Sequence, residues 1–361
     1  MMRARRSDGI DVTRQTWTAV VSAVLFVALA AVMALLPVPY VSWSAGATFD
    51  VLGEAGGAPV LKITGAPTYP TTGELRATTV AVTRVDSHLT LSEAFFSYWA
   101  PDREVIPREA VYAPGQDAGS VQANETQEMD ISQLTAAAAA LRAAGGKVTE
   151  LPMVTSVSPG GPADGILRPG DLIEAIDGTS VATLSALTEA VRAHKVGDTV
   201  TLHLRRGAEK PQVQVKTTES NGSPPVPVLG ITLQTGYAFG GTTITFATDP
   251  TIGGPSAGLI FALAAYEVLT PGDLVAGRHI AGTGTITGSG EVGPIGGVEE
   301  KLVAARAAGA TLFLVPWQNC PDVSRIPDGI RLVKVASLSE SVSALEALKD
   351  PAKESAVAGC S

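Results

Sequence analysis

Charged residues disappear between Gln15 and Phe49, and within that stretch Trp17 to Leu36 is almost wholly apolar before Pro37. Such a run, at about 1.5 Å rise per residue, covers roughly 30 Å, the hydrocarbon thickness of a bilayer. Trp17, Tyr40 and Trp43 flank it, as interfacial aromatics do. The pattern then changes period. From about Thr48 to Tyr112 it is strand-like: Thr78 to Thr83 and His88 to Leu91 are rich in β-branched residues and partly alternate, with Pro and Gly between. Asn124 to Ala144 reads as one helix, capped by Asn124, with Gln127 three residues on and Gly145-Gly146 ending it. Its Ala136–Ala140 face suits close docking.

Residues 147–218 have the rhythm of a small β-rich module. A strand at Met153–Val157 leads through the turn Pro159-Gly160-Gly161-Pro162-Ala163 into a short helix. A second strand lies around Leu172–Ile176 before the tight turn Asp177-Gly178, and Leu184 to His194 is amphipathic with Leu184, Leu187 and Val191 on one face. Thr199 to Arg205 alternates as a strand. Asn221 to Pro227 is a linker by composition. Beyond it, Thr242 to Thr248 alternates, Leu259 to Leu269 reads as a buried helix, and His279 to Ile295 reads as strand, Gly-Ser-Gly turn and strand. Gly296 to Gly309 holds a short helix, followed by an apolar strand at Leu312–Pro316. The last residues, Asp350 to Ser361, are small and polar and read as a disordered tail.

Composition narrows the function classes. Of 361 residues, 26 are basic and 35 acidic, a net charge of −9. That argues against nucleic acid as a partner, because phosphate binding needs clustered Lys and Arg. Two cysteines, Cys320 and Cys360, exclude a disulfide-rich scaffold and a four-cysteine zinc site, and leave a bond between the two open. The four histidines show no metal-ligand spacing, so neither metal nor cofactor is expected. Arg3, Arg5, Arg6 and Arg14 precede the apolar run, which the positive-inside rule places with the N-terminus in the cytoplasm and the rest of the chain outside. A cleaved signal peptide is the alternative, although such apolar regions are shorter, about 7–15 residues.

The chemistry concentrates late in the chain. Gly253-Gly254-Pro255-Ser256-Ala257-Gly258 opens the buried helix, placing Ser256 at a helix N-terminus among residues too small to block an incoming backbone. Free N–H groups there suit a developing oxyanion. In the Gly296–Gly309 helix, Val298, Leu302 and Ala305 form the apolar stripe, Lys301 lies at its edge, and Glu299 and Glu300 project away. Desolvation and the helix dipole both lower a lysine pKa, and a neutral amine is a competent general base.

Two resemblances follow from these residues. The run Ser158-Pro159-Gly160-Gly161-Pro162-Ala163, Leu167-Arg168-Pro169-Gly170-Asp171-Leu172-Ile173 and Ile176-Asp177-Gly178 resembles a PDZ domain. That implies a groove for an extended peptide, lined by Val154, Ser156, Leu184, Leu187 and Val191. No Gly-Leu-Gly-Phe loop precedes Met153. Gly254-Pro255-Ser256-Ala257-Gly258 and Pro294-Ile295-Gly296-Gly297-Val298-Glu299-Glu300-Lys301, 45 residues apart from Ser256 to Lys301, resemble the proteolytic domain of Lon proteases. This resemblance implies a Ser256 nucleophile, a Lys301 base and Thr283 as the hydroxyl that orients the amine, with Gly254 and Ala257 supporting. It departs from that family at Gly253 and Thr285, where acidic residues are common.

The whole resembles bacterial membrane-anchored PDZ–Lon proteins. The expected fold is α+β: an N-terminal transmembrane helix, a mixed N-terminal region, a small β-rich PDZ module and a Lon-type α/β proteolytic domain. The expected boundaries are a cytoplasmic tail (1–16), transmembrane helix (17–36), mixed region (44–146), PDZ domain (147–218), proteolytic domain (228–348) and tail (349–361). The implied activity is an ATP-independent serine endopeptidase on protein or peptide substrates outside the cytoplasm, single-pass in the cell membrane, with a homo-oligomer left open. No Gly-x-x-x-x-Gly-Lys-[Ser/Thr] loop occurs. Two alternatives remain. One is a non-catalytic tethered scaffold. The other is an α/β-hydrolase esterase built on Gly254-x-Ser256-x-Gly258 with His279 and Asp273.

Overall fold

The computed structural model describes residues 14–100 and 102–360. Most of the expected 1–16 tail, with Arg3, Arg5 and Arg6, lies outside them. In chain order the main helices are α1 (Arg14–Leu35), α2 (Leu91–Trp99), α3 (Ala118–Ala143), α4 (Leu184–Arg192), α5 (Gly258–Leu269), α6 (Val298–Ala307) and α7 (Leu338–Ala347). The main strands begin with β1 (Tyr40–Asp50), β2 (Leu61–Thr64), β3 (Glu74–Val82) and β4 (Arg103–Pro107). Those of the small module are β5 (Thr149–Val157), β6 (Leu172–Ile176), β7 (Thr199–Arg205), β8 (Gln212–Lys216) and β9 (Ile231–Ala238). The last are β10 (Thr243–Phe246), β11 (His279–Gly282), β12 (Leu312–Pro316) and β13 (Arg331–Val335).

α1 is long and apolar enough to cross a membrane, and none of its residues is buried against the rest of the chain. Only residues 36–39 separate it from β1. That segment is stapled: Pro37–Val38 pairs antiparallel with Leu89–Thr90, and the Arg108 N–H donates to the Pro39 carbonyl.

The larger sheet runs in the order β13-β12-β11-β3-β1-β4. β3, β11, β12 and β13 are parallel, and β1 and β4 join antiparallel. The expected N-terminal region and the expected proteolytic domain therefore share one sheet, with β3 wedged between β1 and β11. β2 and β10 form a second joint between them. The core beneath is built around α5, which is buried almost throughout and carries no charged residue except Glu267. α3 lies against it with Ala136 to Ala140, whose small side chains permit close helix approach.

The small module is an antiparallel sheet in the order β8-β7-β6-β5-β9. Its own core includes Val154, Ile173, Leu187, Val191, Leu202 and Leu204. β9 was expected to belong to the last domain, but its whole length pairs with β5.

Several elements depart from the sequence pattern. Residues 91–99, inside the strand-like region, form helix α2, started by a Thr90–Glu93 capping box. α3 begins at Ala118 under Asp117, not at Asn124, because the Asp117 carboxylate caps Ser120. Residues 159–167 form successive turns, without the expected short helix. The C-terminal segment is not loose. Cys360 is disulfide-bonded to Cys320, Glu354 pairs with Arg331, and the Lys334 N–H donates to the Ala358 carbonyl.

Candidate active site

Ser256 lies in the turn just before α5, whose N-cap is Ala257, so the serine stands one residue outside the helix and not in its first turn. The turn is held from three sides. Gly254 has φ +86°, a left-handed conformation that favours glycine, and its N–H donates to the Glu125 carbonyl of α3. The buried Ser132 hydroxyl of α3 donates to the Pro255 carbonyl at 3.0 Å. From β11's far end, the Gly284 N–H donates to the Ser256 carbonyl at 2.8 Å, and the Gly284 carbonyl accepts from Leu259 N–H. Gly253 lies so close to α3 that a side-chain carbon there would meet Glu125 Cβ at 2.4 Å. The carboxylate of Glu125 flanks the position where the family resemblance led one to look for an acid.

Lys301 sits in α6. This helix starts at Gly297, in a left-handed conformation at φ +67°. A side-chain carbon on Gly296 would meet the Trp43 ring at 2.6 Å, and one on Gly297 would meet Val80 at 2.6 Å. Trp43 thus packs over the start of α6 and is not one of the interfacial aromatics expected from the sequence. With β1 and β3 covering this face, α6 is buried on two sides. Lys301 is 2% exposed, deeper than an edge position, and Glu300 is buried as well instead of projecting away. Glu299 does face outward, where its carboxylate accepts from Ser324 and Arg325 backbone N–H groups.

Thr283 joins the two. Its buried hydroxyl donates to the Ser256 carbonyl at 3.0 Å and accepts from Lys301 Nζ at 3.2 Å. Because the single hydroxyl proton goes to the carbonyl, the oxygen offers only lone pairs to the amine. The amine must use an N–H here, which leaves its own lone pair for another donor when it is neutral. Desolvation pulls the Lys301 pKa from 10.5 down to about 8, with Glu300 opposing. Among the described residues there is no direct hydrogen bond between the Ser256 hydroxyl and Lys301 Nζ. Thr283 ties the amine to the Ser256 backbone carbonyl, not to its hydroxyl. The backbone N–H groups of Ser256 and Ala257 donate to no acceptor among the described residues, leaving two donors beside the serine.

A cleft of about 360 Å³ opens over Ser256, lined by Pro255, Thr285, Pro294, Ile295 and Gly296. A hollow of about 470 Å³ shares Ile295 and Gly296 with it and carries Glu104, Glu299, Glu300 and Asp322. Burial and the neighbouring Glu299 and Asp322 raise the Glu104 carboxyl. Among the described residues no three His, Cys, Asp or Glu side chains group as a metal site. His279 pairs with Glu74, and Asp273 with Thr72, so the two are engaged elsewhere.

The expected peptide groove is arranged differently. Val154, Leu187 and Val191 are consumed by the core of the small module. β5 lies between β6 and β9; the Val154 N–H and carbonyl are bonded to Asp171 and Gly170, and Ser156 pairs with Thr232 of β9, which its hydroxyl also bonds. Of the sheet's two edge strands, β8 and β9, it is β9 that lies beside α4, where Leu184 is half-buried. The glycine turn missing before Met153 occurs instead after the linker, at Val228-Leu229-Gly230-Ile231, where Gly230 has φ +69° and its carbonyl accepts from Ser158. Its position at the opposite end of the module hid it.

Known proteins resolve the modules. Residues 249–349 match the Lon protease (S16) C-terminal proteolytic domain, and residues 137–217 match the PDZ domain. The chain carries a PDZ domain followed by a Lon-type proteolytic domain. The Lon protease of Roseiflexus castenholzii is 47% identical over 78 residues, 22% of this chain and 10% of that protein. That of Escherichia coli K12 is 43% identical over 77 residues, 21% of this chain and 10% of that protein. The aligned stretch thus spans about a tenth of these relatives' length. The PDZ domain of the SdrC-like protein of Listeria monocytogenes is 34% identical, covering 23% of this chain and 85% of that one, with a TM-score of 0.22. Ser132, Glu125 and Thr78 support the Lon-type site from outside the matched residues. Thr78 donates to the Gly282 carbonyl beside Thr283. The sequence marked α3 as a helix with an alanine docking face, but carried no signal that it would support the Ser256 turn.

Proposed function

We propose that this chain is a membrane-anchored, ATP-independent serine endopeptidase that cleaves unfolded or flexible extracytoplasmic proteins with a Ser256–Lys301 dyad. The observation that carries this reading is the buried Lys301 amine, its pKa drawn down to about 8, tied through Thr283 to the Ser256 turn. In the proposed reaction neutral Lys301 takes the Ser256 proton as the hydroxyl oxygen attacks the peptide carbonyl. The Ser256 and Ala257 N–H groups stabilise the oxyanion, and Lys301 returns the proton to the leaving amine. Water then hydrolyses the acyl-enzyme with Lys301 again as base. The PDZ domain would take an extended segment along the free edge of β9 at Ile231–Leu233, opposite α4.

The membrane placement draws on three supports. Basic residues precede α1. The end of α1 is bonded into the folded chain, with the Ser92 hydroxyl donating to the Ala34 carbonyl and the Leu91 N–H to the Leu36 carbonyl, as suits a retained anchor. The Cys320–Cys360 disulfide suits an oxidising compartment. Independence from ATP rests on the lack of a phosphate-binding loop motif in the sequence.

The test incubates the full-length chain in nanodiscs with fluorescent casein and no nucleotide. Wild type and His279→Ala release peptides, whereas Ser256→Ala and Lys301→Met stay at background. Release by Ser256→Ala equal to wild type sinks the assignment.

A further inference from the structure

α2 presents its side chains the reverse of a helix docked in water. Ala94 and Ser97 face the protein and are buried, while Phe95, Phe96, Tyr98 and Trp99 are 61%, 73%, 70% and 71% exposed. The four rings form one continuous shelf, with centroids 6.0 Å apart for Phe95–Phe96, 6.4 Å for Phe95–Trp99 and 5.6 Å for Tyr98–Trp99. Exposed apolar residues on soluble surfaces are scattered singly, and a contiguous patch marks a contact surface. The helix's one acid, Glu93, is occupied at the cap by the Thr90 N–H and hydroxyl.

Its location names the partner. α2 is fastened to the last turn of α1 by the Ser92–Ala34 and Leu91–Leu36 hydrogen bonds, and the two-residue ladder between Pro37–Val38 and Leu89–Thr90 fixes the angle between them. With α1 across a bilayer, that last turn stands at the boundary of the hydrocarbon, and α2 stands at the same height. Aromatic rings, with Trp and Tyr foremost, are favoured at that level.

We propose that α2 is an interfacial helix, its Phe95, Phe96, Tyr98 and Trp99 rings seated in the headgroup–acyl boundary of the bilayer that α1 crosses. The proposal rests on the anchor reading of α1. Since α2 runs on through Ala100 to β4, an edge strand of the catalytic sheet, lipid contact there sets the tilt of the sheet over the membrane.

The experiment uses the full chain in nanodiscs made with and without lipids brominated near the top of the acyl chain. Both native cysteines are disulfide-bonded, so an environment-sensitive fluorophore can be placed on one introduced thiol at a time. The sites are Phe96→Cys on α2, Leu25→Cys in α1 and Val196→Cys on the PDZ domain. The expected result is a roughly twofold or greater loss of emission in brominated lipid for Phe96→Cys and Leu25→Cys, with Val196→Cys unchanged. Loss at Leu25→Cys without loss at Phe96→Cys overturns the proposal and leaves the anchor standing. No loss at either site overturns both. A blue-shifted but unquenched Phe96→Cys probe, together with disulfide dimers of the unlabelled Phe96→Cys protein under mild oxidation, means that a second copy covers α2, and also overturns it.

Discussion

Lys301 destabilises the protein that depends on it. With its pKa near 8 in the fold and 10.5 as the ordinary value, the native state has released a proton that the unfolded state still holds between those two pH values. Stability therefore rises with pH across that window, and below about pH 8 the full penalty applies, of order 3 kcal/mol. Lys301→Met removes it. This variant is expected to be inactive yet to melt at higher temperature than wild type at pH 7, with the gap closing above about pH 10.5, as measured by thermal melts across pH. With Lys301 as the proposed base, kcat/KM on casein peptides is expected to rise about tenfold per pH unit to near 8 and then level, as more of the amine becomes neutral, checked by a pH–rate profile. That the Ser256 turn, Thr283 and Lys301 come together was legible in the sequence, because small residues at fixed spacing bracket them. The burial of Glu300 was not, since a helical wheel sees one covered face and α6 has two. Val154, Leu187 and Val191 were misplaced for a related reason: an apolar stripe looks the same whether it fills a core or lines a groove.

At the level of elements, α3 does the work of a splint. It holds the nucleophile turn through Ser132 and the Glu125 backbone, so a helix with no reacting group controls where the reacting hydroxyl stands. Ser132→Ala removes the short side-chain hydrogen bond to the Pro255 carbonyl and leaves it only the long one from Gly258 N–H, at a cost of roughly 1 kcal/mol. The expected kinetic outcome is a lower kcat with KM little changed, checked on casein peptides beside a melting curve. Its alanine face announced that it docks, but nothing in its sequence says on what, because docking partners are set by tertiary contacts. The polar first turns of α3 disguised its true start at Ala118. α2 was hidden differently: the Leu89–Thr90 pair reads as a strand, and the aromatics that follow suit strands in water. Only the contact with α1 makes sense of them as a helix. β9 escaped assignment because the Pro-rich linker before it looks like a domain border, whereas the PDZ sheet is completed only after that border.

The whole molecule is closed by a late covalent tie. Cys320 and Cys360 clamp the C-terminal segment across a separation of 40 residues, and Cys360 packs with Val323 and Ile330 around the α6 side of the sheet. In the chain-entropy account a loop of that size contributes about 4 kcal/mol. Cys360→Ser, or wild type kept under reductant, is therefore expected to melt several degrees lower and to expose residues after Asp350 to added protease, read by melts and limited proteolysis. Composition alone made this segment look loose, since small polar residues do not reveal a crosslink.

The junction between α1 and the folded body has a consequence for what can be cut. Residues 36–39 are too few, and too firmly paired, to act as a leash. An anchored molecule of this shape cannot lean out into the surrounding fluid to chase a soluble chain. If the proposed anchoring holds, its blade is kept at one altitude above the lipid, and membrane-attached substrates are then expected to be selected by the height at which a flexible stretch emerges, before any side chain is read.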